Sequence, residues 1–147
     1  MQLASDLAAD LANQVRHLKF DAVISPAMGG ILVGQDLARH LETRHLFTEK
    51  EEGRLKLRRF VIKPGERFVV AEDVVTTGSA VKEVMEIVKA AGAFVEGVAV
   101  IVDRSGDKAP DFGVPFFSLL KLRVETFPAD QLPEDLADIP AVKPGSK

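Results

Sequence analysis

The sequence predicts an α/β fold, a mainly parallel central sheet flanked by helices, with a flexible loop or arm. Short apolar β-type runs alternate with helical patterns at least three times, the order that builds a parallel sheet covered on both faces. The 147 residues are most simply one domain with a sizeable buried core. Three turns, Pro26–Gly30, Glu72–Ala80 and Asp103–Gly106, each follow a predicted strand, and in such sheets ligands bind beyond the carboxyl ends of the strands.

Leu3, Leu7, Leu11, Val15 and Leu18 recur at helical spacing, predicting an amphipathic first helix. Phe20–Ser25 reads as a short buried strand broken by Pro26. Met28-Gly29-Gly30 opens a second helix carrying Ile31, Leu32, Leu37, Ala38 and Leu41. A strand is expected at His45–Thr48, a charged loop at Glu49–Arg54, and an extended arm over Leu55–Ile62. The Pro64-Gly65 pair predicts a turn. Arg67–Ala71 is the next strand. The helix after it places Val81, Val84, Met85 and Val88 on one face and ends near Gly92, which suits the residue just past a helix end. Phe94–Val102 is a long apolar strand and Val114–Leu122 the last core strand. Residues 1–124 are expected to form the α/β domain. Residues 125–147, rich in Pro, Asp and Glu, are expected to be a tail packed on it or extending from it.

Composition narrows the function classes. A hydrophobic fraction of 46% and a charged fraction of 28% are ordinary for a soluble globular domain. A formal charge of −3 gives no reason to expect a nucleic-acid surface. With no cysteine, disulfides and thiolate metal sites are excluded. The first twenty residues hold no apolar signal-peptide core, and no apolar run approaches the ~20 residues that span a bilayer. A cytoplasmic protein is the expectation.

The segment from Arg67 to Ala80 carries the most chemistry. An apolar strand runs into two adjacent carboxylates, Glu72 and Asp73, and then into Thr76-Thr77-Gly78-Ser79-Ala80 before a helix begins. Backbone N–H groups of such a turn, at the positive end of a helix dipole, suit a phosphate. An ordinary helix cap by Thr or Ser is the plain alternative. Two acids at the rim of a core strand need partners: ribose hydroxyls, a hydrated Mg²⁺, or a salt bridge to a nearby Lys or Arg. In a regular strand their side chains face opposite sides, so only a turn starting there lets both reach one ligand. Together the acids and the turn suggest a site for ribose 5-phosphate.

The other turns are weaker signals. At Pro26-Ala27-Met28-Gly29-Gly30 the two glycines let the backbone approach an anion closely, or simply open a helix. The segment matches neither Walker A nor the dinucleotide fingerprint. Arg104 offers a guanidinium that stacks on a planar ring or holds a carboxylate, or else pairs with Asp103 on the surface. Lys50, in the acidic loop, neutralises a diphosphate or stands solvated. His17, His40 and His45 form no evident constellation, and Met28 and Met85 read as core or wall residues.

These residues resemble a known family. Val69–Ala80 resembles the phosphoribosyl-pyrophosphate motif of type I phosphoribosyltransferases. Phe20–Gly30, Val98–Gly106 and the terminal Lys143-Pro-Gly-Ser-Lys147 resemble the orotate branch of that family. The resemblance implies a Mg²⁺-dependent transfer of the phosphoribosyl group to orotate, giving orotidine 5′-phosphate. It implies that Glu72 and Asp73 hold the ribose 2′- and 3′-hydroxyls, and that Val74, Val75, Thr76, Thr77, Gly78, Ser79 and Ala80 cradle the 5-phosphate. It implies that Ala27, Met28, Gly29 and Gly30 bind pyrophosphate through backbone amides, and that Thr76 and Arg104 contact orotate. Lys50 would belong to a flexible catalytic loop that closes over the neighbouring subunit of a homodimer. Mg²⁺ would ride on the diphosphate with no direct protein ligand. Two departures from the family pattern stand out: Glu49 takes a place where many members have Arg, and members usually carry several tens of residues before the Leu3 helix. Alternative readings are a non-catalytic phosphoribosyl-pyrophosphate-binding protein, or a transferase acting on another base.

Overall fold

The computed structural model describes residues 2–107, 109–125, 127–128, 130–140 and 142. The terminal Lys143–Lys147 motif lies outside them. Along the chain come α1 (Gln2–Val15), β1 (Ala22–Pro26), α2 (Gly29–His40), β2 (Arg44–Glu51), β3 (Arg54–Lys56), β4 (Arg67–Val75), α3 (Ser79–Ala90), β5 (Phe94–Asp103) and β6 (Phe116–Lys121). The strands form one sheet in the order β3-β2-β1-β4-β5-β6. Every pairing is parallel except β2 with β3. The expected α/β architecture is therefore the observed one.

Strand periodicity sorts the core into two layers. Phe68, Val70, Ile24 and Val98 face one side, where α3 presents Val81, Val84, Met85 and Val88. Val69, Ala71, Val23 and Ala99 face the other, against Leu11, Ala12 and Val15 of α1 and Leu37 and Ala38 of α2. Because both faces are covered, β4 is buried without interruption from Phe68 to Glu72. That continuous burial is why its sequence reads as an apolar run instead of an alternation.

Chain order reverses between β1 and β4. From β1 the chain moves outward to β2 and β3, then returns to lay β4 on the opposite side of β1. Such a reversal leaves a crevice at the carboxyl ends of the two central strands. The turn after β1 and the turn after β4 both open there.

Three expectations about element length change. β4 runs through Val75, four residues past the expected end, because parallel pairing with β5 continues through Val74↔Val102 and Val75↔Asp103. β2 continues through Glu51, since Glu49, Lys50 and Glu51 pair with β3. The expected charged loop is thus a hairpin whose two-residue turn, Glu52 at φ 50 and Gly53 at φ 84, has positive φ at both positions as type I′ hairpin turns require. The expected arm over Leu55–Ile62 is a strand only through Lys56. Leu55 and Ile62 are buried, and Leu57 and Phe60 pack on the α3-side core. At the end of α3, Gly92 adopts φ 74, with Gly92 N–H donating to Lys89 O at 2.9 Å and Ala93 N–H to Val88 O at 3.2 Å. Both bonds fit the glycine-terminated helix end expected there.

Candidate active site

The acid pair sits at the crevice between β1 and β4. Glu72 extends toward the α3 side and borders a small cleft of about 60 Å³ with Val74, Val75, Thr76, Thr77, Gly78, Ser79, Ala80 and Val81. Asp73, on the α1–α2 side, borders an apolar groove with Gly29 and Leu32. Strand geometry does hold the two side chains on opposite faces, as the period of two demands. They nonetheless meet one backbone segment. A Cβ on Gly30 would lie 2.9 Å from Glu72 Oε1, and one on Gly29 would overlap the Asp73 carboxylate. The bare Gly29-Gly30 backbone is therefore required by its contact with both acids. The convergence comes from the turn after β1, not from a turn after Ala71.

Neither carboxylate forms a salt bridge with Lys or Arg among the described residues, so the ion-pair alternative does not hold there. Glu72 Oε1 accepts from Asp73 N–H at 3.2 Å, and Asp73 Oδ1 accepts from Val74 N–H at 2.7 Å. Glu72 is 7% exposed. Burial, reinforced by the neighbouring Asp73 side chain and opposed by the Asp73 N–H bond, pushes the Glu72 carboxyl up to about 8. A neutral Glu72 near pH 7 lessens the repulsion felt by an incoming polyanion.

Helix α3 begins without a side-chain cap. Its N-cap is Gly78 in the left-handed region at φ 74, so the expected alternative of Thr or Ser capping is not what forms. Lys82 N–H donates to Gly78 O at 2.9 Å, closing the first helical turn. Ser79 N–H makes only a long 3.4 Å contact with Thr77 Oγ1. A Cβ on Gly78 would sit 2.9 Å from the Phe112 ring, so only glycine fits the turn there. The uncapped helix N-terminus, with Thr76, Thr77 and Ser79 exposed beside it, has the chemistry that suits an anion.

A larger cavity of about 750 Å³ adjoins the turn and joins Thr76 and Thr77 to Arg104, Ser105, Arg123 and Phe127. The structure thus brings together Thr76 and Arg104. Arg104 is held by its backbone, whose N–H donates to Val75 O at 2.7 Å. Asp103 does not pair with it. The Asp103 carboxylate is 3% exposed and accepts from Ser105 N–H at 2.9 Å and Ser105 Oγ–H at 2.5 Å. That arrangement folds the turn so that the Arg104 guanidinium is left to the cavity.

Ala27, Met28, Gly29 and Gly30 form the turn into α2. Ala27 N–H donates to Thr48 O at 2.8 Å, and Met28 is 82% exposed, so it is no core residue. Lys50 lies on β2 opposite Leu55 and, among the described residues, lines none of these clefts. Its hairpin is laced by ion pairs, Arg59 with Glu49 at 2.7 Å and Lys56 with Glu51 at 2.5 Å. The Arg59 hydrogen bond holds the Glu49 carboxyl below its usual range. Sequence reasoning missed a part-buried pair below α2, Ser25 Oγ with His45 Nε2 at 2.7 Å. No local pattern signals it, because the partners lie on separate strands.

Comparison with known proteins agrees with this geometry. A family model for the phosphoribosyl transferase domain matches residues 1–130. The orotate phosphoribosyltransferase of Carboxydothermus hydrogenoformans is 46% identical over 149 residues, covering 99% of this chain and 78% of the relative. That of Thermotoga maritima is 50% identical over 139 residues, covering 94% and 74%. Among solved structures, orotate phosphoribosyltransferase from Aeropyrum pernix superposes with a TM-score of 0.66 at 28% identity, covering 82% of this chain and 71% of that one. Adenine phosphoribosyltransferase from Thermoanaerobacter pseudethanolicus shares the fold, with a TM-score of 0.73 at 20% identity and coverage of 80% and 79%. The chain therefore belongs to the phosphoribosyl transferase domain family, in its orotate phosphoribosyltransferase branch.

Proposed function

We propose that this chain transfers the 5-phosphoribosyl group from phosphoribosyl pyrophosphate to orotate, releasing pyrophosphate and orotidine 5′-phosphate. One observation carries the reading: the acid pair borders both the α3 cradle and the Gly29-Gly30 turn, and the Arg104 cavity adjoins the cradle. In this reading Glu72 and Asp73 hold the ribose hydroxyls, and Val74–Ala80 hold the 5-phosphate. Ala27–Gly30 hold the diphosphate by backbone amides, and Thr76 and Arg104 hold the base. The bond from C1 of the sugar to the diphosphate oxygen breaks and a bond from C1 to a ring nitrogen of orotate forms, and the proton on that nitrogen passes to the departing pyrophosphate or to water. The departing electron pair stays on the diphosphate. Catalysis then consists of positioning and of stabilising charge.

Mg²⁺ fits this site as a passenger of the diphosphate. The described residues include no cluster of three or more His, Cys, Asp or Glu able to cage an ion. Mg²⁺ instead keeps several waters and binds through substrate phosphates, so it would ride on the diphosphate with no direct protein ligand. When bound, it would neutralise charge on the leaving diphosphate. Lys50 would add to that neutralisation once its hairpin approaches the crevice of a neighbouring copy. A homodimer belongs to the same reading, supported by exposed Met28 and Leu32 next to the crevice, as does a cytoplasmic setting.

The test mixes the protein with orotate, phosphoribosyl pyrophosphate and Mg²⁺ and follows the ultraviolet loss of orotate. Turnover is expected. Silence with orotate but pyrophosphate release with another base would move the assignment within the family. A second reading, binding without turnover, is favoured by the ion pairs that occupy Arg59 and Lys56 on the hairpin. It predicts calorimetric binding of phosphoribosyl pyrophosphate with no product, and measurable turnover eliminates it.

A further inference from the structure

Helix α2 meets the sheet along a face nearly free of side chains. Gly30 and Gly34 are both buried one turn apart, and buried Ala38 continues the line. A Cβ on Gly34 would overlap the His45 imidazole and lie 2.9 Å from Ser25 Oγ. Those two side chains are hydrogen-bonded to each other at 2.7 Å, and Ser25 has no exposed surface. Ser25 sits on β1 two residues before Ala27, and His45 on the neighbouring strand β2. None of the three residues lines any of the clefts described above.

We propose that Ser25, His45 and Gly34 are positioning residues for the pyrophosphate turn: the bonded Ser–His pair is a seat on which α2 rests at Gly34, and the seat fixes the height of the Gly29-Gly30 backbone. This rests on the assignment of Ala27–Gly30 to the diphosphate. The lever is short and stiff. Four residues of helix span only ~6 Å, so a shift at Gly34 reaches Gly30 with little loss. There the tolerance is small, because a Cβ on Gly30 would stand 2.9 Å from Glu72 Oε1 and 3.2 Å from Ala71 O. Raising α2 would carry the turn's amides away from the acids that border them. Burial keeps His45 neutral, with its pKa lowered to about 4, so the seat carries no charge at neutral pH.

The experiment is calorimetry with Mg²⁺-pyrophosphate and, separately, with ribose 5-phosphate, on wild type, Gly34→Ala and Ser25→Ala. In Gly34→Ala, pyrophosphate affinity should fall roughly tenfold or more, while ribose 5-phosphate affinity changes by less than about twofold, since a misplacement of about 1 Å can cost on the order of a hundredfold at such sites. Ser25→Ala removes the bond without adding bulk and should show a smaller loss of the same kind; it decides the matter if Gly34→Ala does not fold. Equal losses for both ligands, or unchanged pyrophosphate affinity in the variants, would overturn the seat. A wild type that binds ribose 5-phosphate but not pyrophosphate would instead overturn the reading of the glycine turn, and the seat with it.

Discussion

At the scale of single residues, the two acids are neighbours with different tasks. Asp73 is half-buried and its recorded bond is to the adjacent Val74 N–H, so little of the fold depends on its charge. Asp73→Asn should lower turnover by about a hundredfold or more, in the range of losing a charge-stabilising group, with a nearly unchanged melting temperature. A large loss of stability would mark Asp73 as structural. Glu72 behaves otherwise, because its carboxyl titrates at about 8 when folded against 4.5 ordinarily. Between those values the unfolded chain has released the proton and the folded chain retains it, so stability falls as pH rises. Denaturation across pH should show wild type losing stability relative to Glu72→Gln from about 4.5 to about 8, with a constant difference above that. Parallel profiles would mean Glu72 is not perturbed by burial. The position of this pair at the rim of a core strand was legible in the sequence, since two acids end an apolar run there. The Ser25–His45 bond was not, because a lone histidine on an apolar strand carries no mark of what crosses above it.

At the scale of elements, local signals located the turns while pairing set the strand ends. Pro26, Gly78 and Gly92 punctuate the chain at the positions where the backbone turns, and glycine at positive φ explains the last two. The lengths of β2 and β4 were hidden because Glu49–Glu51 and the Glu72-Asp73 pair are poor strand formers held extended by β3 and β5. The α3 start combines both kinds of information. Gly78 has φ 74, and any Cβ there meets Phe112, so Gly78→Ala should cost ~1–3 kcal/mol. The same change distorts the cradle, so ribose 5-phosphate affinity should fall with it. Urea denaturation and calorimetry measure the two effects. Lost stability with intact phosphate affinity would place the phosphate elsewhere than at the α3 N-terminus.

At the scale of the whole molecule, the chain-order reversal between β1 and β4 gathers turns from distant parts of the sequence into one crevice. Alternation of strands and helices was enough to predict this sheet, because each local pattern agrees with the global one. Surface organisation is less legible, since an apolar residue on a helix reads the same whether its own core or another copy covers it. Leu32, 77% exposed, lines a groove of about 350 Å³ with Ala4, Leu7, Val33 and Ile101, and the groove reaches Asp73. A contiguous apolar surface of this kind marks an interaction face, and its place beside the acid pair would bring a second copy's residues to the crevice. Leu32→Glu should therefore disrupt self-association while changing monomer stability by only about 0.5 kcal/mol, the usual range for an exposed position. Sedimentation velocity is the measurement: wild type should run as a dimer and the variant as a monomer with the same circular dichroism. A monomeric wild type, or a variant that stays dimeric, would move the interface away from α2 and leave this groove without a role in assembly.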